Sequence, residues 1–253
     1  MSYSKRYLDR ARASSFGSIA GTYDRYRPSY PEELIDRLAA LSPTKVLDIG
    51  CGTGKVASAL VLRGLTVLGL EPDGRMAKVA VANGITVEVA GLEDWNAAGR
   101  TFDLVTSGDA WHWIDPVVGR RRAAELLNPG GVIARFWTAH EVDAALLAAF
   151  EAVYSKYAPD TIVAGSPAKS TENVTDPLSG DSAFVSFSSD TYRWGLTLTA
   201  DEWVGLVTTF SDHQQLAPEQ LAKLLDGLHA AIEGLGGVVR VRSVTFVQLA
   251  WHV

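Results

Sequence analysis

Residues 46–54 read Val-Leu-Asp-Ile-Gly-Cys-Gly-Thr-Gly, and the next hydrophobic run, Val67-Leu68-Gly69-Leu70, ends on Glu71. The first stretch predicts a strand that runs into a glycine turn. Without side chains, Gly50, Gly52 and Gly54 can take φ > 0 and let the backbone approach a ligand closely. Glu71 stands at the tip of the neighbouring strand. An acid about 20 positions beyond a glycine turn is placed to accept hydrogen bonds from ribose hydroxyls. The pairing describes a nucleoside pocket.

Working outward, short apolar runs alternate with helical patterns from residue 45 to residue 137. Strands are predicted at Lys45–Ile49, Thr66–Leu70, Thr86–Ala90, Phe102–Ser107 and Val132–Trp137, with helices at Lys55–Arg63, Arg75–Ala82 and Pro116–Leu127. In the first helix Val56, Ala59, Leu60 and Arg63 follow the i, i+3, i+4 spacing of a packed face. Asn128-Pro129-Gly130-Gly131 reads as a helix stop and turn, because proline cannot continue a helix and glycine accepts a left-handed cap. Such alternation predicts an α/β fold with a parallel sheet covered on both faces.

After Trp137 the pattern changes. Residues 142–157 predict an amphipathic helix, and residues 158–182 are dense in Pro, Ser, Thr, Gly and Asp. An irregular excursion of that length inside a domain is usually functional or mobile. A β-rich run (Phe184–Trp194), two helical stretches (Ala200–Phe210 and Pro218–Leu235) and a closing strand near Val238–Trp251 complete the chain. At the other end, residues 1–27 hold Lys5, Arg6, Arg10, Arg12, Arg25 and Arg27 against Asp9 and Asp24, together with five aromatics. The organisation expected is one domain over 1–253: N-terminal helices or lid (1–44), a cofactor-binding core (45–137), an insertion (138–183) and the C-terminal part of the sheet (184–253).

With 253 residues and 47% apolar composition, the chain can bury a sizeable core. The formal net charge of −6 repels phosphate backbones, which argues against a nucleic-acid partner. Cys51 is the single cysteine, so no internal disulfide forms, in keeping with a reducing compartment. No apolar stretch reaches the roughly 18 residues that span a bilayer, and Met1–Arg6 lacks the apolar core of a signal peptide. A cytoplasmic protein without membrane contact is the expectation.

Gly50-x-Gly52-x-Gly54 is not the G-x-G-x-x-G turn that seats a pyrophosphate on a helix N-terminus. A P-loop would need Gly at 49 and Ser or Thr after Lys55, where Ile49 and Val56 stand. Asp48-Ile49-Gly50-Cys51-Gly52-Thr53-Gly54 instead resembles the first motif of class I S-adenosylmethionine-dependent methyltransferases. Tyr23–Pro31 (Tyr-Asp-Arg-Tyr-Arg-Pro-Ser-Tyr-Pro) and Ala110–Pro116 (Ala-Trp-His-Trp-Ile-Asp-Pro) resemble segments of the type 11-like branch. Small-molecule enzymes such as trans-aconitate methyltransferase carry a related His-Trp segment.

That resemblance implies a Rossmann-like, doubly wound, seven-stranded and mostly parallel sheet whose last strand runs antiparallel at the edge. It implies S-adenosyl-L-methionine as cofactor. The glycine loop (Asp48, Gly50, Cys51, Gly52, Gly54) would wrap its methionine and ribose, with Asp48 near the ammonium and Glu71, followed by Pro72, at the ribose. Leu92, Glu93 and Asp94 would enclose adenine, with no choice made between the two acids. Gly108, Asp109 and Ala110, after the fourth strand, and Tyr23 and Arg27 from the lid complete the cofactor set.

Transfer of a methyl group from a sulfonium needs in-line placement of a nucleophile, and orientation alone can supply roughly 7–11 kcal/mol in aligned intramolecular cases. No metal is needed, and no cluster with metal-ligand spacing stands in the sequence. His112, just past a strand's carboxyl end, is the candidate acid or base. The alternative is that it orients its loop between Trp111 and Trp113; a carboxylate acceptor would need no base. Trp111, Trp113, Trp137, His140 and His213 are acceptor-pocket candidates, against core packing for the tryptophans and a helix cap for Ser211-Asp212-His213. Cys51 is read as a backbone-contact position and not as a nucleophile. Residues 16–31 are read as a lid, with Arg27 offering a fork to an anion, and residues 1–12 as a solvated helix without a chemical role. The reaction expected is methyl transfer to a small molecule, with a carboxylate or hydroxyl as the target. A non-catalytic S-adenosylmethionine-binding sensor or scaffold and a nicotinamide oxidoreductase are the rival readings. The sequence assigns neither the acceptor nor an oligomeric state.

Overall fold

The computed structural model describes residues 5–167, 176 and 178–253. The strands are β1 (Val46–Ile49), β2 (Val67–Leu70), β3 (Thr86–Glu88), β4 (Phe102–Gly108), β5 (Leu127–Glu141), β6 (Phe184–Thr199) and β7 (Val238–His252). They form one sheet in the order β3-β2-β1-β4-β5-β7-β6. The first five are parallel, and β7 runs antiparallel to both of its neighbours. Every residue of β1 is buried, as a central strand covered on two faces requires. Strand order reverses at β1, with β2 on one side and β4 on the other. The crevice beyond their carboxyl ends is where open α/β sheets bind ligands.

The helices are α1 (Arg10–Ala13), α2 (Ala20–Tyr26), α3 (Glu32–Ala40), α4 (Lys55–Val61), α5 (Gly74–Ala82), α6 (Pro116–Leu126), α7 (Ala144–Tyr157), α8 (Ala200–Thr208) and α9 (Pro218–Gly234). On one face, Leu34, Ile35 and Leu38 of α3 and Val56 and Leu60 of α4 pack on Val46, Leu104, Ala134 and Phe136. On the other, Ala123 and Leu126 of α6, with Trp95 and Trp111, cover Leu47, Ile49, Val105 and Ile133. Each large apolar side chain buried this way contributes about 1.5–3 kcal/mol. A third cluster joins α7, α8 and α9 to Val239 and Val241.

Three differences from the sequence expectation have physical causes. The last strand is antiparallel, but it lies one place in from the edge. Its alternate residues, Val239 to Leu249, are buried, whereas β6 is exposed along most of its length and rich in Ser, Thr, Asp and Arg, a composition suited to an edge. β6 also continues past Trp194 to Thr199, paired throughout with β7. Finally, Asn128–Gly131 is a turn held within the span of β5. Phe102 pairs with Leu127 and Leu104 with Val132, so the turn is accommodated as a bulge with Gly130 at φ 76°. Part of the predicted excursion, residues 168–175 and 177, lies outside the described residues.

Candidate cofactor and acceptor site

The glycine loop takes the conformation its residues allow. Gly50, Gly52 and Gly54 have φ of 65°, 57° and 88°. Gly50 N and Cys51 N donate to Leu70 O (2.8 and 3.2 Å), which ties the loop to the end of β2. A Cβ on Gly50 would lie 2.5 Å from Ala110 Cβ, so the loop also touches the segment after β4. Glu71 is linked to the same loop: Gly52 N donates to its Oε2 (2.9 Å) and Asp73 N to its Oε1 (3.0 Å). Burial raises the pKa of this carboxyl. Pro72 beside it is exposed.

Asp48 is 1% exposed. Thr106 Oγ1 donates to its Oδ1 (2.8 Å), while Oδ2 has no hydrogen-bond partner. Burial pushes its pKa up to about 7. An orphaned buried carboxylate oxygen behind a glycine loop is poised for a cationic group. Cys51 is buried, and burial raises its thiol pKa far from the thiolate range. Its Sγ fills the space over Gly69, where a Cβ would sit 2.7 Å away. It is a packing residue.

Leu92 is buried and Asp94 exposed. Glu93 turns inward: Arg10 Nη2 donates to its Oε1 (2.9 Å), and so does Asp115 N (3.3 Å). Asp115, the acid of the Ala110–Pro116 segment, caps α6 by accepting from Val117 N and Val118 N. That residue therefore serves the helix end.

Asp109, at φ 53°, ties the segment after α2 to β5. Arg27 Nη2 and Tyr30 Oη both donate to its Oδ2 (3.2 Å each), and Thr138 N donates to Oδ1 (3.1 Å). A Cβ on Gly108 would lie 2.6 Å from both Tyr30 Oη and Phe136, so glycine lets Tyr30 reach the strand end. The Arg27 guanidinium also lies over Phe210 (5.3 Å) and Tyr23 (5.9 Å). Burial opposes its charge, but Tyr23, Asp109 and Tyr30 more than offset this, and its pKa rises. Burial raises the phenols of Tyr23 and Tyr30 as well, leaving both neutral. Lys55, opening α4, donates to Asp24 O (2.5 Å) and anchors the end of α2 to the glycine loop. Tyr23, Arg27 and Tyr30 all belong to the Tyr23–Pro31 segment, which brings the three together here. Phe210 had no local signal.

The surroundings of His112 bear on both readings of it, as acid or base and as a group that orients its loop. Trp137 Nε1 donates to its Nδ1 (3.3 Å). Indole is a donor only, so the neutral imidazole carries its proton on Nε2. Burial, and then Arg6, Arg12 and Arg27, lower the His112 pKa to about 3. With Nδ1 taken by the indole and the proton on Nε2, the ring in this arrangement presents a hydrogen-bond donor. Trp111 is a core residue, 1% exposed, with the Arg135 guanidinium 5.6 Å over its ring. Trp113 packs edge-on against Phe16, from the turn before α2 (6.1 Å). His140 pairs through Nδ1 with Ser243 Oγ (2.8 Å) beside Trp194. His213 departs from the pocket expectation: it is buried with Nε2 on Tyr154 Oη (2.6 Å) and Nδ1 on Asp212 Oδ1 (3.1 Å).

Residues 5–12 also depart from the solvated, idle helix expected of them. A 3-10 turn, Lys5–Leu8, packs against the Trp111–Trp113 turn. Arg10 binds Glu93 and Trp113 O, and Arg12 donates twice to Ser211 Oγ (3.0 and 2.8 Å). Spacing hid this because the partners are 83 to 199 residues away.

Comparison with known proteins agrees with this geometry. A family model described as a methyltransferase domain matches residues 23–162, more than half of the chain. The chain belongs to that family, the class I S-adenosylmethionine-dependent methyltransferases. An uncharacterized methyltransferase of Mycobacterium tuberculosis (strain ATCC 25618 / H37Rv) is 40% identical over 134 residues, which cover 52% of this chain and 55% of that protein. A ubiquinone biosynthesis O-methyltransferase of Paracidovorax citrulli is 32% identical over 151 residues, covering 52% of this chain and 63% of its own. The chain thus spans about half the length of the curated relatives it matches. Among solved structures, phosphoethanolamine N-methyltransferase 2 of Haemonchus contortus, in complex with phosphomonomethylethanolamine and S-adenosylhomocysteine, shares the fold. It matches at a TM-score of 0.52 and 16% identity over 98% of this chain and 60% of its own. The YcgJ protein of Bacillus subtilis matches at 0.52 and 15% over 87% and 96%. Among the described residues no helix is long and apolar enough to cross a membrane.

Proposed function

We propose that the protein transfers a methyl group from S-adenosylmethionine to a small-molecule acceptor. The supporting observation is the coupling of Asp48, the glycine loop and Glu71: one buried carboxylate with an orphaned oxygen, and a second locked to the loop's own N–H. The residues fit the cofactor. Asp48 Oδ2 would meet its ammonium, Glu71 its ribose hydroxyls, and Leu92 with Glu93 the adenine edge, Asp94 being turned away to solvent. When bound, the cofactor supplies an electrophilic methyl on a sulfonium.

The chain's own part is to bind, orient and exclude water. Arg27, Tyr30 and Asp109 hold α2 and the segment after it across the carboxyl end of β4, which shields the site and fixes alignment. Gly108–Ala110 forms the wall against which the glycine loop rests. The acceptor is expected against His112, Trp113, Trp137 and His140, beyond β4 and β5. Because His112 offers a donor, the reading favours an acceptor that arrives as its own nucleophile.

Calorimetric titration with S-adenosylhomocysteine and with NAD tests the cofactor assignment: binding of the first and not the second is expected. A labelled-methyl assay over metabolite pools then separates an enzyme from a sensor. Saturable binding without any transfer would leave the sensor reading in place.

A further inference from the structure

Arg6 and Arg12 are half-buried like charges that act on each other, and their segments sit on the turn that carries His112: the Lys5–Leu8 turn packs against Trp111–Trp113, and Arg10 of α1 donates to Trp113 O. Neither has an ion-paired or hydrogen-bonded carboxylate among the described residues. The nearby Asp212, which is hydrogen-bonded to His213, opposes part of their charge. Arg12 is aimed by a neutral group, Ser211 Oγ, through both Nε and Nη2. Two like charges that act on each other while partly withdrawn from water repel, and an anion bound to both relieves that repulsion, a task suited to the planar donor fork of arginine. Both guanidiniums act on His112, whose Nδ1 is filled by Trp137 of β5, so that Nε2–H is the nitrogen left to offer. Arg27, the third cation near that ring, is already neutralised by Asp109 at 3.2 Å.

We infer that Arg6, Arg12 and the Nε2–H of His112 form a docking site for a carboxylate of the methyl acceptor. The inference rests on the methyl-transfer reading and specifies its substrate class: a small carboxylic acid. All the groups are donors, which excludes a cationic amine as the group bound there. The charge count favours a carboxylate over a phosphate monoester, since two guanidiniums less the nearby Asp212 leave about one positive charge, against the roughly −1.5 to −2 of a phosphate. The Lys5–Leu8 turn and Arg10–Ala13, which looked dispensable, become part of the specificity apparatus.

The test uses the full chain saturated with S-adenosylhomocysteine and titrated with linear mono- and dicarboxylates and benzoate. The matching primary amides and phenyl phosphate are titrated in parallel. At least one acid is expected to bind about tenfold or more tighter than its amide, and the Arg6→Gln/Arg12→Gln variant should lose about tenfold or more of that affinity. The same variant should keep S-adenosylhomocysteine affinity within about threefold of the parent, because the lost charges act on the acceptor alone. Ser211→Ala, which only frees Arg12, should give a smaller loss of acid affinity. The inference is overturned if no acid binds, if amides bind as well, if phenyl phosphate binds tighter, or if the double variant leaves acid affinity unchanged. It is equally overturned if cofactor and acid affinity fall together, since the arginines would then merely pin down the N-terminal segment. Failure of the parent to bind S-adenosylhomocysteine would instead sink the methyl-transfer reading itself.

Discussion

Between Asp48 and Glu71 the site is made largely of main chain, whereas around His112 it is made of side chains from distant segments. In the first region, loop amides of Gly50 and Cys51 donate to Leu70 O, and Gly52 N donates to Glu71 across two adjacent parallel strands. In the second, Arg12 meets Ser211 and Arg27 lies over Phe210, adjacent residues far along the chain from either arginine. The difference follows from how each is specified. A parallel sheet sets the positions of consecutive strand ends by its own hydrogen bonds, so a short motif fixes a pocket. A chamber walled by separate segments depends on packing that no short window encodes.

Substitutions in the main-chain region should therefore have the larger consequences. Glu71→Ala removes the acceptor for Gly52 N and the expected ribose contact together. S-adenosylhomocysteine affinity by calorimetry should fall by about 2–3 kcal/mol or more, at the upper end for hydrogen bonds to a charged group. A fall under threefold would break the contrast between the two regions.

Gly50→Ala forces a side chain into φ 65° and against Ala110 Cβ at 2.5 Å. Thermal unfolding should register about 1–3 kcal/mol of destabilisation. Gly64→Ala, at φ 83° with nothing within 4 Å, shares the strain without the clash and should cost less. Equal losses would show that the contact with Ala110 contributes nothing.

Asp48 gives a pH signature. Its pKa is raised to about 7 in the folded protein, from an ordinary value of 3.8. The folded state therefore holds a proton that the unfolded state has released. Stability from this group is complete below about pH 4 and is lost as pH climbs to about 7, a decline on the order of 4 kcal/mol. Asp48→Asn should flatten that slope in chemical denaturation of the cofactor-free protein. An unchanged slope would place the titration elsewhere.

The smallest effect is expected in the side-chain region. Trp137→Phe withdraws the donor from His112 Nδ1 and frees the ring to change tautomer. Turnover should change by less than about threefold if the ring acts only as a donor, since a single neutral hydrogen bond is worth about 1 kcal/mol. A new acid limb in the pH–rate profile would return His112 to the role of base.

The motif-bearing residues were legible because their geometry is local. Asp48, Gly50, Gly52, Gly54 and Glu71 stand where strand–turn–helix logic places them, and Tyr23 and Arg27 reach the site as the Tyr23–Pro31 segment suggested. His112 was legible as a candidate from its place past β4, but its protonation was not. The tautomer depends on Trp137, which sits on the neighbouring strand 25 residues away. His213 looked available beside Ser211 and Asp212 until Tyr154 was found across its other nitrogen. The closing strand's place inside the sheet depended on whether β6 or β7 presents the more buried pattern, a contest between two elements.

The amino-acid sequence by itself determined the parallel core, the glycine loop and the kind of ligand that loop can wrap, because φ > 0, strand periodicity and a fixed strand-to-strand offset are local properties. Only the tertiary structure decided what surrounds His112. Which guanidinium meets which carboxylate, and which nitrogen keeps its proton, depends on segments brought together from opposite ends of the chain, with energies set by burial that no single segment possesses.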